Sequence, residues 1–140
     1  TSRSVDRAKQ AVDEIKGKFG EASIVPVGTG AAGSLDSALQ DAQIVIACGA
    51  AGVELIPEKT ILNLPSLKVA IDLNAVPPAG IGGLGVADKA VEFGAGVGYG
   101  AIGVGGLKMK THRASLQTLF ESNDRVLDAA EIYDIAKSIG

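Results

Sequence analysis

The 140 residues suit one domain with a single buried core, and a net charge of −3 without any Lys/Arg block argues against nucleic acid or an anionic membrane surface as partner. No apolar run reaches the length needed to span a bilayer and no signal-peptide pattern opens the chain; Cys48 is the single cysteine, which excludes an internal disulfide framework and fits a reducing cytoplasm. Apolar residues make up 46% with no Trp, so the core must be mostly Val, Ile, Leu and Ala, as in a parallel sheet buried on both faces.

Val5, Ala8, Val12, Ile15 and Phe19 recur at helical spacing, with Ser4 placed to cap the start and Gly20 to take a left-handed stop. The apolar run Ile24–Val27 reads as a strand and ends in Gly28-Thr29-Gly30-Ala31-Ala32-Gly33. A short helix follows over Ser34–Gln40, and Gln43–Ala47 is a buried strand closed by Cys48-Gly49-Ala50-Ala51-Gly52. A helical stretch interrupted by Pro57 reaches about Leu62, and Lys68–Leu73 is another strand, stopped by Asn74 and Pro77-Pro78. Between Gly80 and Gly106 lie 11 of the chain's 19 glycines, interleaved with Ile, Leu, Val, Phe and Tyr. That mixture predicts tight turns around one more strand near Tyr99–Ile102, not a flexible linker. Two helices close the chain, over about 106–121 and 128–139, the last opened by a capping box of Asp128 and Glu131. The alternation predicts an α/β fold with a doubly wound, Rossmann-like parallel sheet. Thr1 opens directly onto a helix without an initiator Met, which reads as a fragment whose first strand and phosphate loop lie elsewhere.

Candidate ligand-binding residues gather at the ends of these strands, where open α/β sheets bind their ligands. Ser2, Arg3, Ser4 and Arg7 sit at a helix start, where free backbone N–H groups favour an anion and a guanidinium suits the 2′-phosphate of NADP. No acid stands there to select NAD. The plainer reading is a capping Ser beside exposed arginines.

Windows matching G-x-G-x-x-G or its Ala-ended form start at Gly28, Gly80, Gly96 and Gly98. The first follows a strand and precedes a helix, as a pyrophosphate loop should. However, no acid ends the next strand, and a helix precedes the motif, so the loop is expected upstream of Thr1 with Gly28–Gly33 as the alternative. Cys48, Gly49 and Ala50 are small enough for a cofactor to run close to the backbone, or simply for a tight turn. Cys48 itself reads as a small buried hydrophobe. Asp72 and Asn74 offer a carboxylate and an amide at the same edge, or stabilise a turn. Lys108, Lys110, His112 and Arg113 open the long helix, with Lys108 and His112 on one face. No spacing of carboxylates, His and Cys suggests a metal.

The segments Asp72–Gly83 (Asp-Leu-Asn-Ala-Val-Pro-Pro-Ala-Gly-Ile-Gly-Gly) and Gly100–Arg113 (Gly-Ala-Ile-Gly-Val-Gly-Gly-Leu-Lys-Met-Lys-Thr-His-Arg) resemble NAD(P)-dependent methylene-tetrahydromethanopterin dehydrogenases of methylotrophic bacteria. Leu119–Ser122 and Ala130–Tyr133 continue the likeness, which covers nearly the whole chain and is specific over residues 72–113. Thr1–Ser4 also resembles shikimate dehydrogenase and related NADP enzymes, and Gly28–Gly33 departs from the dehydrogenase pattern. The resemblance implies hydride transfer from the methylene bridge of methylene-tetrahydromethanopterin, or its tetrahydrofolate analogue, to NADP⁺ or NAD⁺ in formaldehyde oxidation. It further implies an N-terminal catalytic domain completing a pterin cleft, and a homo-oligomer. Lys108 matches a lysine facing that cleft, and Arg3 falls where the 2′-phosphate would be read. Because hydride loss leaves a cation and needs no proton transfer, Lys108 fits a substrate-positioning donor better than a general base. The alternatives are another NADP oxidoreductase of shikimate-dehydrogenase type and a non-catalytic dinucleotide-binding module.

Overall fold

A computed structural model describes residues 1–140. In chain order the elements are α1 (Val5–Lys18), α2 (Ser34–Leu39), β1 (Ile44–Ala47), α3 (Glu58–Leu62), β2 (Val69–Asp72), β3 (Lys89–Phe93), β4 (Gly96–Tyr99), α4 (Gly105–Phe120) and α5 (Ala129–Ile139). The sheet runs β1-β2-β4-β3, with β1, β2 and β4 parallel and β3 antiparallel at one edge. Helix α3 joins the parallel pair β1 and β2, and with the other helices flanking the sheet this is the α/β architecture the alternation predicts.

Strand parity decides where the core sits. Val45, Ala47, Ala70 and Asp72 share the face that α2 and α3 cover, and Leu39, Ile61, Leu64, Leu67, Ile81, Leu84 and Phe93 join it. Ile44, Val69 and Val97 align across the sheet, as do Ile46, Ile71 and Tyr99, so these six share the opposite face. That face lacks cover at its β1 edge, where Ile44 is 64% and Ile46 54% exposed, whereas Val69, Ile71, Val97 and Tyr99 are half-buried.

Several sequence expectations shift. Ile24–Val27 is no strand: pairing there is the single parallel bridge between Ser2 and Gly28, and Val25 is exposed. Helix α1 starts at the Ser4 cap but ends on Phe19 in a non-helical conformation, with Gly20 outside the left-handed region and Phe19 exposed. The Pro57 interruption is complete. Residues before it are extended, Ile56 bridges Ile81, and the helix begins after Pro57.

The glycine-rich region holds two strands, not one. The β4 strand ends at Tyr99 because the Gly100 N–H donates to Asp88 and the Ile102 N–H to Val86, which turns the chain away from the ladder. Strand β3 escaped detection because Lys89-Ala90-Val91-Glu92-Phe93 carries a bulge at Ala90, φ +55°, which breaks its alternation. At Gly103 an added Cβ would collide with the Asp88 carbonyl, so close backbone approach explains the glycine there.

Candidate functional site

The structure brings together two stretches that the sequence offers as rivals. Ser2 donates its N–H to the Val27 carbonyl at 3.0 Å and accepts from Thr29 N–H at 2.8 Å, which lays Gly28–Gly30 along the start of α1. A Cβ at Gly28 would stand 3.1 Å from Val5 Cβ, and one at Gly30 would stand 2.8 Å from the Arg3 carbonyl oxygen. Glycine is therefore needed for the packing of these two segments. Ser4 Oγ accepts from Arg7 N–H at 3.5 Å, and Ser2 Oγ accepts from Ser4 N–H at 3.4 Å. Arg3 and Arg7 are exposed, and neither makes an ion pair. Two uncompensated guanidiniums thus stand at the N-terminus of a fourteen-residue helix. Gly33, φ +74°, caps the six-residue α2 without a side-chain hydrogen bond.

At the end of β1, Cys48, Gly49 and Ala50 are all exposed. The expectation of a buried Cys48 fails because the residue continues the parity of Ile44 and Ile46 onto the uncovered face. Gly49 packs tightly, since a Cβ there would meet Leu55 Cδ1 at 2.7 Å. The turn closes through Gly52 at φ +72°.

Asp72 is 2% exposed, and both carboxylate oxygens are occupied, Oδ1 by Asn74 N–H and Oδ2 by Ile81 N–H, each at 2.9 Å. It ties the end of β2 to the Gly80–Ile81 loop and presents no free acceptor at the edge. Asn74 is 8% exposed, and its Nδ2 is a buried donor without a protein partner. Such a donor carries a desolvation cost unless some acceptor meets it.

Lys108 and His112 are exposed on α4 and border a cleft of about 400 Å³ between α4 and α5, with Val104, Leu107, Thr111, Ser115, Ile132 and Ala136. Thr111 Oγ1 donates to the Leu107 carbonyl at 2.9 Å, whereas the buried Ser115 Oγ has no partner. Sequence reading missed Thr111 and Ser115. Their spacing of four, polar on an otherwise apolar helix face beside Lys108, is the pattern that would have found them. A second depression, about 530 Å³, lies between α2 and α3 around Asp36, Lys59 and Asn63, with none of the residues above in its lining. No group of three His, Cys, Asp or Glu side chains is gathered to hold a metal ion. No helix is long and apolar enough to cross a membrane.

No family model matches the chain. Two proteins of Methylorubrum extorquens are similar to it. The bifunctional protein MdtA is 40% identical over 137 residues, 98% of this chain and 47% of that protein. An NAD(P)-dependent methylenetetrahydromethanopterin dehydrogenase is 37% identical over 106 residues, 74% of this chain and 36% of that enzyme. The chain spans less than half the length of either relative.

Proposed function

We propose that this chain, which belongs to the family of those two proteins, is the nucleotide-binding part of an oxidoreductase that takes a hydride from methylene-tetrahydromethanopterin, NADP⁺ being the acceptor. The observation that carries the reading is the pair of free guanidiniums, Arg3 and Arg7, at the α1 N-terminus against the Gly28–Gly30 backbone. An α1 N-terminus with free cations suits a phosphate, and the absence of side chains at Gly28 and Gly30 keeps the wall beside it low. A nucleotide extending from there across the strand ends would meet the exposed Cys48–Ala50 turn and the orphaned Asn74 amide. Bound NADP⁺ would supply the hydride acceptor.

The residues present fit the remaining tasks. Asn74 Nδ2 supplies a donor for a carbonyl or hydroxyl, and Asp72 fixes the backbone on which Asn74 stands. Lys108 holds the pterin by hydrogen bonding, since a base has no proton to remove in this step. The oxidation needs alignment of the donor carbon and exclusion of water more than acid or base chemistry. The pterin-facing catalytic part, and a homo-oligomeric assembly in the cytoplasm, complete the reading; exposed Leu116, Leu119 and Phe120 on α4 support an association surface.

A second reading, an NADP oxidoreductase of shikimate-dehydrogenase type, draws on Thr1–Ser4 alone. The deciding experiment follows nicotinamide reduction by the whole polypeptide with methylene-tetrahydromethanopterin, methylene-tetrahydrofolate and shikimate in parallel. Turnover of a methylene pterin is expected, and turnover of shikimate alone overturns the proposal. Lys108→Ala is expected to lower kcat/KM for the pterin by on the order of 10²-fold, with the NADP dissociation constant unchanged. Full activity in that variant removes Lys108 from the site.

A further inference from the structure

We infer that the cleft between α4 and α5 seats the arm of the pterin substrate, the aryl ring and hydroxyl-bearing chain beyond the methylene bridge, and that Ser115 is a positioning residue for that chain. The helix pair buries hydroxyls where apolar side chains are expected. The residues that α4 buries are Thr111 and Ser115, each 8% exposed, and α5 buries none, while Leu116, Leu119 and Phe120 stay exposed elsewhere on α4. A helix face selected for packing alone turns its leucines inward and its hydroxyls outward. Thr111 satisfies its hydroxyl by donating to the Leu107 carbonyl, and Thr118 does the same toward Ala114. Ser115 makes no such bond; its Oγ has no partner and is shut off from solvent. A hydroxyl in that state carries a desolvation penalty until another polar group meets it, and with no bond to hold it the O–H is free to turn to one.

The cleft is graded along its length. Its volume of about 400 Å³ lies within the range of small-molecule sites. Lys108 stands in the first turn of α4, and Ser115 lies seven residues on, roughly 10 Å along the helix axis. Leu107, Ile132 and Ala136 supply apolar wall, and beyond Lys108 and His112 no ionisable side chain lines it. The substrate carries its groups in the same order. Lys108 holds the pterin in the proposed function, and the methylene bridge leads from there to an aryl ring and then a chain. In tetrahydromethanopterin the chain next to the ring is an uncharged polyol, whereas tetrahydrofolate continues into a carbonyl and glutamate carboxylates. Apolar wall suits the ring. Ser115 Oγ, donor and acceptor at once, suits a polyol hydroxyl, and a carboxylate beside it would be enclosed without a cation. The inference rests on the pterin-holding role of Lys108 in the proposed function.

The test is anaerobic calorimetry of the whole polypeptide with tetrahydromethanopterin and with tetrahydrofolate, on wild type and Ser115→Ala, beside denaturant titration of both proteins without ligand. The variant is expected to bind tetrahydromethanopterin about two- to tenfold more weakly, the worth of one neutral hydrogen bond, and tetrahydrofolate as wild type does. Its denaturation midpoint should hold or rise, because alanine removes no bond seen here and favours the helix. Unchanged affinity for tetrahydromethanopterin overturns the inference, as does equal weakening for both pterins. A lowered midpoint overturns it too, since polypeptide outside residues 1–140 would then hold the hydroxyl. Wild type that shows the expected Ser115 effect on binding yet oxidises no methylene pterin leaves the arm site standing and removes only the hydride-transfer reading. Wild type that binds neither pterin removes both.

Discussion

Arg3 stands at the start of α1 and Asp72 at the end of β2, and they use their charges in opposite ways. The Arg3 guanidinium is exposed and unpaired, whereas the Asp72 carboxylate is enclosed and spent on two backbone N–H groups. Arg3→Ala is therefore expected to weaken NADP binding by roughly ten- to a hundredfold, the worth of one charge-assisted hydrogen bond, while NAD binding stays nearly unchanged. Paired dissociation constants for the whole polypeptide measure this; equal losses for both cofactors would make Arg3 a structural residue. Asp72→Ala should instead act on stability, by about 2–4 kcal/mol, because it leaves two buried N–H groups without acceptors. Denaturant titration checks the cost, and a stable variant that loses nucleotide binding would return Asp72 to the ligand. The place of Arg3 at a helix start was legible in the sequence because the Ser4 cap is a local signal. The role of Asp72 was not, since its second partner, Ile81, lies nine residues away and only the fold brings them together.

Elements were legible where their signals are local. The capping box of α5 is as the sequence has it: Asp128 Oδ1 accepts from Ala130 N–H at 2.7 Å, and Glu131 Oε2 accepts from Asp128 N–H at 3.0 Å. Hydrogen bonding with the Glu131 side chain and from the Ala130 N–H holds the Asp128 carboxyl below its ordinary value of 3.8. A depressed folded value means that the cap stabilises fully above the unfolded value and that its contribution fades as pH falls through the folded one. The first turn of α5 is expected to fray in that acid window, and Asp128→Ala should show the frayed turn already at neutral pH. Chemical shifts of Ala129–Glu131 against pH decide it, and a pH-independent turn in the wild type would dismiss the cap. Elements whose partners are distant were read less well. Ile24–Val27 has strand composition but pairs through one bridge, and β3 lost its alternation to the Ala90 bulge.

At the scale of the molecule, 46% apolar content and 21 buried residues do not balance. Twenty large apolar side chains remain exposed, nine of them on β1, along α4 from Leu107 to Phe120, and on α5 at Ile132 and Tyr133. The sequence foretold this only as composition, a diet for two covered sheet faces; which face lacks its cover follows from the parity of Ile44 and Ile46 and had to be seen. The α/β class was readable because crossover rules leave few topologies for alternating strands and helices, whereas the sheet order was not, since the antiparallel edge strand β3 went unread.

The exposure of Cys48 turns the end of β1 into its own reporter. The chain holds one thiol, so alkylation adds one mass increment and leaves every other residue of these 140 untouched by thiol chemistry. A nucleotide running along Cys48–Ala50 would shield that sulfur, and saturating NADP⁺ is expected to slow carbamidomethylation by about tenfold or more, on the mass-action argument that only the unliganded fraction reacts. Timed intact-mass spectra would read the occupied fraction directly, with no dye or engineered tag, and titrating the cofactor would trace a binding curve from labelling alone. An alkylation rate indifferent to NADP⁺ would mean that the nucleotide takes another path across the strand ends.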